Sequence, residues 1–217
     1  MANEIATLYT SYSKALRLWH WSSFIITCLL LITILVSKSF LNWLFVNNII
    51  YEGMAREGIH LQPGQTAGTA SLLRERIWAW HTYLGYILGI LFTFRIVLEF
   101  FQPRDEQMAT KVRRAWLQNR NGNRTARKFL IANIIYLLFY ILLGTIAGTG
   151  TWMAFHKQPQ YFETFHAVKQ IHENCLLLLL LFIIIHLAGV IRFERKNRSN
   201  LISAMVHGGT KGDRKNP

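Results

Sequence analysis

The sequence predicts an all-α protein that folds as a four-transmembrane-helix bundle with both termini cytoplasmic. Of its 217 residues, 52% are hydrophobic and only 16% are charged, which is the balance of a membrane protein. Four apolar runs are long enough to cross a bilayer: residues 18–36, 77–101, 129–153 and 172–192. We expect residues 1–217 to form a single integral-membrane domain.

The distribution of positive charge predicts the orientation of these four runs. The chain has a formal net charge of +13. Its amino terminus, residues 102–128 and the tail after residue 191 hold 17 of the 24 lysines and arginines, whereas the connections 37–76 and 154–171 hold six. An excess of Lys and Arg in short loops marks the cytoplasmic side. Topology therefore accounts for the charge without nucleic acid, and docking to a partner or to anionic lipid stays open as an alternative.

The first run is expected to remain in the protein as a membrane helix. It starts late, is too long for a signal peptide and lacks a small-residue cleavage site after it. The aromatic stretch FLNWLFVNNIIY in the connection 37–76 is predicted to lie on the membrane surface. The connection 102–128 alternates basic residues with Trp116, which predicts a short amphipathic segment at the interface. In the tail, Ser199 or Asn200 could cap a short helix that Gly208 ends.

Several chemistries are excluded by what the chain lacks. Cys28 and Cys175 belong to no CxxC or CxxCH pattern, which excludes a disulfide framework and covalently attached c-type haem. The sequence also contains no internal repeat, Walker motif, Gly-rich dinucleotide fingerprint or nucleophile elbow. The chemistry of soluble enzymes therefore has no basis in this chain.

Four histidines lie in or beside the apolar runs, where an ionisable side chain is costly enough to indicate function. His172 and His186 frame the last run, HENCLLLLLLFIIIH. Their 14-residue spacing puts them about 21 Å apart along a helix and only about 40° from one face. Because neighbouring spans run in opposite directions, His20 joins His186 at a first level near the cytoplasmic side. His81 joins His172 at a second level near the periplasmic side.

Two facing neutral imidazoles in a helical bundle are typical of bis-histidine haem iron, so two levels predict two haems b. Zinc would need three or four ligands at a level, and a transporter relay would usually include buried carboxylates, of which these spans offer Glu99. The alternative is that the histidines are interfacial side chains at helix ends. His166 would replace His172 as a ligand if the last helix started earlier. The remaining histidines are expected in solvated loops: His60, His156 and His207.

Two further residues could contact a haem. Gly85 follows His81 by one helical turn, and a flat macrocycle needs backbone that comes close, although small residues such as Gly144, Gly148 and Gly150 also serve helix packing. Arg95 lies 14 residues after His81, hence at the depth of the first level. Its guanidinium could pair with a haem propionate or with Glu99 at i, i+4.

The segments RLWHW, AWHTYLGYILGILFTFR, IHENCLLLLLLFIIIHLAGVIRFE and NLISAMVHGG resemble the prokaryotic cytochrome b561 family, which includes the b-type cytochrome subunit of nickel-iron hydrogenases. The resemblance covers nearly the whole chain. It implies haem b bound by His20, His81, His172 and His186, with Gly85 and Arg95 at family-typical positions. The chain departs from the family at Ile34, where members often have a glycine.

The function expected from these residues and this resemblance is that of a di-haem b-type cytochrome in the bacterial inner membrane. It would carry electrons between a periplasmic redox partner, hydrogenase-like or another dehydrogenase, and membrane quinone near the first level. One alternative is a stand-alone oxidoreductase that passes electrons from superoxide or another small reductant to quinone. An alternative of another class is a haem-free membrane anchor or transporter subunit. A subunit that only relays electrons has no substrate of its own until it meets quinone.

Overall fold

A computed structural model describes residues 13–61, 65–102, 107–120, 124–156 and 159–197, together with 202, 205 and 206 of the tail. The helices are α1 (Lys14–Lys38), α2 (Trp43–Arg56), α3 (Ala67–Phe101), α4 (Met108–Arg120), α5 (Arg124–Phe155) and α6 (Phe162–Asn197), and a 3-10 turn at Pro159–Tyr161 precedes α6. Four helices, α1, α3, α5 and α6, are long and apolar enough to cross a membrane. The predicted all-α fold with four spans is confirmed.

The helices extend beyond the apolar runs that predicted them, most of all α6, which begins at Phe162 and not near residue 172. Hydropathy marks the part of a helix that lies in lipid, whereas backbone hydrogen bonding continues through polar turns at the interface. Local caps decide where some helices begin. The side chain of Ser13 accepts from the Leu16 N–H at 3.2 Å at the start of α1, and Asn42 caps α2 through the Leu44 N–H at 3.1 Å.

The four spans pack in the order α1, α3, α5 and α6. A small core of Trp19, Leu88 and Leu143 joins the first three of these helices. The indole N–H of Trp19 also donates to the Leu91 carbonyl at 2.8 Å, which links α1 to α3. Many large apolar side chains on the outside of the bundle remain exposed, for example Leu18, Ile90 and Leu177. Such a surface suits lipid, because acyl chains are as apolar as these side chains.

The two interfacial segments expected from the sequence are the short helices α2 and α4. The Thr66 hydroxyl, just before α3, donates to the Asn47 side chain of α2. At the other end of α3, a Glu99 carboxylate oxygen accepts from the Met108 N–H at the start of α4. Both short helices are therefore tied to the ends of α3.

The tail returns to α1. Arg17 donates to the Val206 carbonyl at 3.0 Å, and the indole N–H of Trp21 donates to the Met205 carbonyl at 3.2 Å. Ile202, Met205 and Val206 are helical. The predicted caps of this tail helix, Ser199 or Asn200 and Gly208, lie outside the described residues.

Candidate functional site

The structure brings the four histidines of the spans together as two pairs, each from two helices. At the first level, His20 of α1 faces His186 of α6, with ring centroids 6.5 Å apart and an interplanar angle of 53°. At the second level, His81 of α3 and His172 of α6 lie within electrostatic reach of each other. These are the pairs that the sequence predicts. The sequence alone could not give the 6.5 Å separation of the His20 and His186 rings.

Aromatic rings surround the first level. Trp21 meets His20 edge-on at 5.5 Å, and Phe182 stacks on His186 at 5.8 Å with an interplanar angle of 10°. Phe182 in turn stacks on Phe139 of α5 at 4.5 Å. The Nδ1 atom of His20 is buried and has no hydrogen-bond partner among the described residues. The first level therefore holds its imidazoles mainly by apolar contact.

Threonine hydroxyls surround the second level. The Thr33 Oγ1 of α1 lies 2.7 Å from His81 Nδ1, and the Thr149 Oγ1 of α5 lies 2.9 Å from His172 Nδ1. Each hydroxyl also donates to a carbonyl of its own helix, Leu30 for Thr33 at 2.7 Å and Thr145 for Thr149 at 2.6 Å. Because a hydroxyl has one hydrogen, these oxygens are left to accept from the Nδ1–H of each histidine.

Neither threonine is predicted from the sequence to lie beside a histidine. A signal was available for Thr33, because it follows His20 by 13 residues in an otherwise apolar run, and about 20 Å along a helix brings it to the second level. The departure from the family pattern at Ile34 does not separate α1 from this level, since the adjacent Thr33 reaches His81. Thr149 lies between two glycines in the sequence, and no spacing to a histidine of its own helix indicates its depth.

The glycines of the spans divide into two groups. A Cβ at Gly150 would lie 3.2 Å from His172 Cε1, and a Cβ at Gly144 would lie 2.9 Å from Phe92 Cζ. These two glycines make room for side chains of neighbouring helices. A Cβ at Gly85 or Gly148 would meet no atom within 4 Å. The backbone at Gly85, one turn from His81, could thus lie against a flat group without displacing protein atoms.

Arg95 is buried, with 8% of its surface exposed. Its Nη1 pairs with Glu99 Oε2 at 3.0 Å, and its Nε donates to the Tyr140 hydroxyl at 3.0 Å. The guanidinium also lies 5.8 Å from the centre of the Trp19 ring. The ion pair with Glu99, which the sequence left open as one alternative, is thus present. Contact between Arg95 and a haem propionate stays a prediction.

The other histidines differ in their surroundings. His166 is exposed on α6 beside Phe162 at 4.6 Å. Although α6 begins early enough to include it, His166 lies about 120° around the helix from His172, which is the residue that faces His81. His156 lies directly after α5 and is half-buried, because it stacks on Trp152 at 4.3 Å and donates to its carbonyl at 2.8 Å. His60 is exposed, and His207 lies outside the described residues.

The family of this chain follows from a comparison with known protein families. The family model described as prokaryotic cytochrome b561 matches residues 11–208, which include all four span histidines. The chain belongs to the prokaryotic cytochrome b561 family. This cytochrome is therefore a b-type, multi-pass protein of the bacterial inner membrane with a role in transmembrane electron transfer, and its spans contact lipid. No curated protein and no solved structure matches the chain.

The residues of this cytochrome fit the b-type haem that its family implies. Two imidazoles that face each other from different helices could each supply a nitrogen ligand to one haem iron. The His20 and His186 centroids are 6.5 Å apart. Within the described ranges, no three His, Cys, Asp or Glu side chains cluster as a bare metal ion would require. Paired imidazoles in an apolar bundle suit haem iron.

Proposed function

We propose that this cytochrome binds two haems b, one between His20 and His186 and one between His81 and His172, and that it carries electrons across the bilayer. The observation that supports this proposal is that the span histidines meet as two pairs from different helices. When bound, haem iron supplies a one-electron carrier at each level. The 14-residue spacing of His172 and His186 separates the two levels by about 21 Å along α6.

The protein's own part is to hold the imidazoles and to exclude water. Rings at the first level, Trp21 and Phe182, restrict the two ligands to one orientation. The backbone at Gly85 is uncovered, because an added Cβ would meet no atom within 4 Å. The guanidinium of Arg95 forms an ion pair with Glu99. We expect this guanidinium to face a haem propionate at the first level.

The asymmetry of charge supports an orientation with both termini and the first level on the cytoplasmic side. The second level and α2 then lie on the periplasmic side. Helix α2 exposes the apolar side chains of Leu44, Phe45 and Ile49 while it buries Val46. Such a surface suits the membrane interface beside a docked redox protein. We therefore expect the electron donor to be a periplasmic redox protein or complex, such as a hydrogenase-like or other dehydrogenase subunit.

Membrane quinone is the expected acceptor, close to the first level. An open cleft of about 590 Å³ is lined by Ala188, Ile191, Arg192 and Arg195, which lie within three turns of His186 on α6. The apolar lining suits a quinone ring, and the two guanidiniums suit its carbonyl oxygens or an anionic headgroup. Reduction of quinone to quinol takes up two electrons and two protons, and a site at this end would draw the protons from the cytoplasm.

The number of haems and their ligands test the proposal directly. Purified protein should contain two haems b per chain in a pyridine haemochrome assay. His172→Ala should remove one spectral component and His186→Ala the other, because each change deletes one ligand of one pair. His166→Ala serves as the control, since this exposed residue lies on the same helix and its loss should leave both haems.

Three results would contradict this assignment. Colourless protein would favour a haem-free membrane anchor or transporter subunit. One haem per chain would eliminate the scheme of two levels. If His172→Ala and His186→Ala removed the same component in a redox titration, the histidines would be paired differently.

A further inference from the structure

The second level is built in the same way around both of its histidines. Thr33 of α1 presents its hydroxyl to His81, with Oγ1 2.7 Å from Nδ1. Thr149 of α5 presents its hydroxyl to His172, with Oγ1 2.9 Å from Nδ1. Each imidazole of the second level thus has a threonine hydroxyl at its Nδ1, supplied by a helix other than its own.

These groups determine which ring nitrogen carries the proton. A carbonyl can only accept a hydrogen bond, and each threonine hydroxyl directs its single hydrogen to a backbone carbonyl of its own helix. With the hydroxyl hydrogens directed to these carbonyls, the Nδ1 atoms of His81 and His172 donate to the threonine oxygens and carry the proton. The Nε2 atoms keep their lone pairs, which is the tautomer that can ligate iron. Acceptors at the outer N–H also make an imidazole a stronger electron donor to its metal.

At the first level, His20 has no such hydroxyl beside its Nδ1 among the described residues. Its Nδ1 is buried with no hydrogen-bond partner in the part of the chain that is described, and the ring contacts the edge of Trp21. His186 has the face of Phe182 beside it. Stronger donor ligands stabilise oxidised iron more than reduced iron, and hydrogen bonding around the ligands is one of the means by which a protein sets the potential of a haem. The two levels are therefore chemically unequal.

We propose that Thr33 and Thr149 are positioning residues that hold His81 and His172 in the Nε2-ligating tautomer and lower the midpoint potential of the second-level haem below that of the first. This inference rests on the proposed function, which assigns a haem to each pair. With the second level on the periplasmic side, the difference favours electron movement toward the cytoplasm. One iron loses the electron that the other gains, so no further reactant is needed for this step.

A redox titration of the Thr33→Val/Thr149→Val double variant tests the proposal. Valine keeps the shape of threonine, so the haem should be retained. The potential of the component that His172→Ala removes should rise. We expect its oxidation equilibrium to change about tenfold, which is about 59 mV for a one-electron couple. The component that His186→Ala removes should not move.

Two further variants separate this role from packing. Serine at both positions restores the hydroxyls and should return the potential to its original value. Thr145→Val is the matched control: its hydroxyl donates to the Ile141 carbonyl, and the backbone carbonyl that accepts from Thr149 stays in place. This variant should leave both potentials unchanged.

Several outcomes would overturn the inference. One is an unchanged second-level potential in the double valine variant, and others are an equal shift in Thr145→Val or a failure of serine to restore the potential. In the unaltered protein, a second-level haem with the higher of the two potentials would also refute it. If His172→Ala removed no haem, the proposed function would fail together with this inference. If each histidine variant removed its expected haem while the potentials stayed fixed, only this inference would fail.

Discussion

The imidazole of His172 is held from two sides by two consecutive residues of α5. Thr149 Oγ1 lies 2.9 Å from its Nδ1. A Cβ at Gly150 would lie 3.2 Å from its Cε1, which is closer than ordinary van der Waals contact. A methyl group there must therefore displace the ring or the helix. Helix α5 supplies no histidine to either pair, yet its residues position His172.

Gly150→Ala is predicted to weaken haem binding at the second level about tenfold, because the displaced imidazole no longer reaches its ligating position. Haem content and redox titration of the purified variant measure this effect. Gly148→Ala is the control on the same helix, since a Cβ there meets no atom within 4 Å. Equal losses from both variants, or a loss confined to the first-level haem, would show that Gly150 has a different role.

At the scale of whole elements, the two short helices lie at opposite ends of the bundle because the membrane-spanning α3 separates them. The basic helix α4 carries Arg120 over the ring of Trp116 at 5.2 Å. Helix α2 is more apolar and is tied to α3 through Asn47 and Thr66. The difference in charge between the two ends indicates which end faces the cytoplasm.

Reporter fusions after His60 and after Arg120 test that orientation. Alkaline phosphatase, which needs the periplasm, is expected to be active only after His60. Green fluorescent protein is expected to fluoresce only after Arg120, because the positive end stays in the cytoplasm. Fusions expressed to similar levels provide the control. The reverse pattern would exchange the sides that we assign to the two histidine levels.

At the scale of the whole molecule, the bundle separates an apolar outside from polar groups at defined depths. The second level joins all four spans, because Thr33, His81, Thr149 and His172 each come from a different one. Near the opposite end, Arg95 joins Glu99 and Tyr140. Between the two levels the spans carry mainly apolar side chains.

A quinone-site inhibitor is predicted to shift the spectrum or the potential of the haem that His186→Ala removes. Arg192→Gln/Arg195→Gln should weaken that response roughly tenfold or more, since two charged donors leave the cleft. Arg76→Gln, an exposed position near the opposite end of the bundle, should leave it unchanged. A perturbation confined to the haem that His172→Ala removes would place quinone at the second level.

The sequence by itself determined the four spans and the depths of their histidines. Both properties are local. The length of an apolar run determines whether it can cross a bilayer. The rise of about 1.5 Å per residue determines how far apart two residues of one helix lie. The alternating direction of neighbouring spans then assigned His20 with His186 and His81 with His172, and the observed pairs agree.

Only the tertiary structure decided which side chains meet across helices. The hydroxyls beside His81 and His172, the hydrogen bond from Arg95 to Tyr140, and the contact between Gly150 and His172 all join different helices. Such contacts depend on how far each helix is rotated about its axis and which helix lies beside it. In spans that are apolar on nearly every side, no periodicity of a single helix records that rotation.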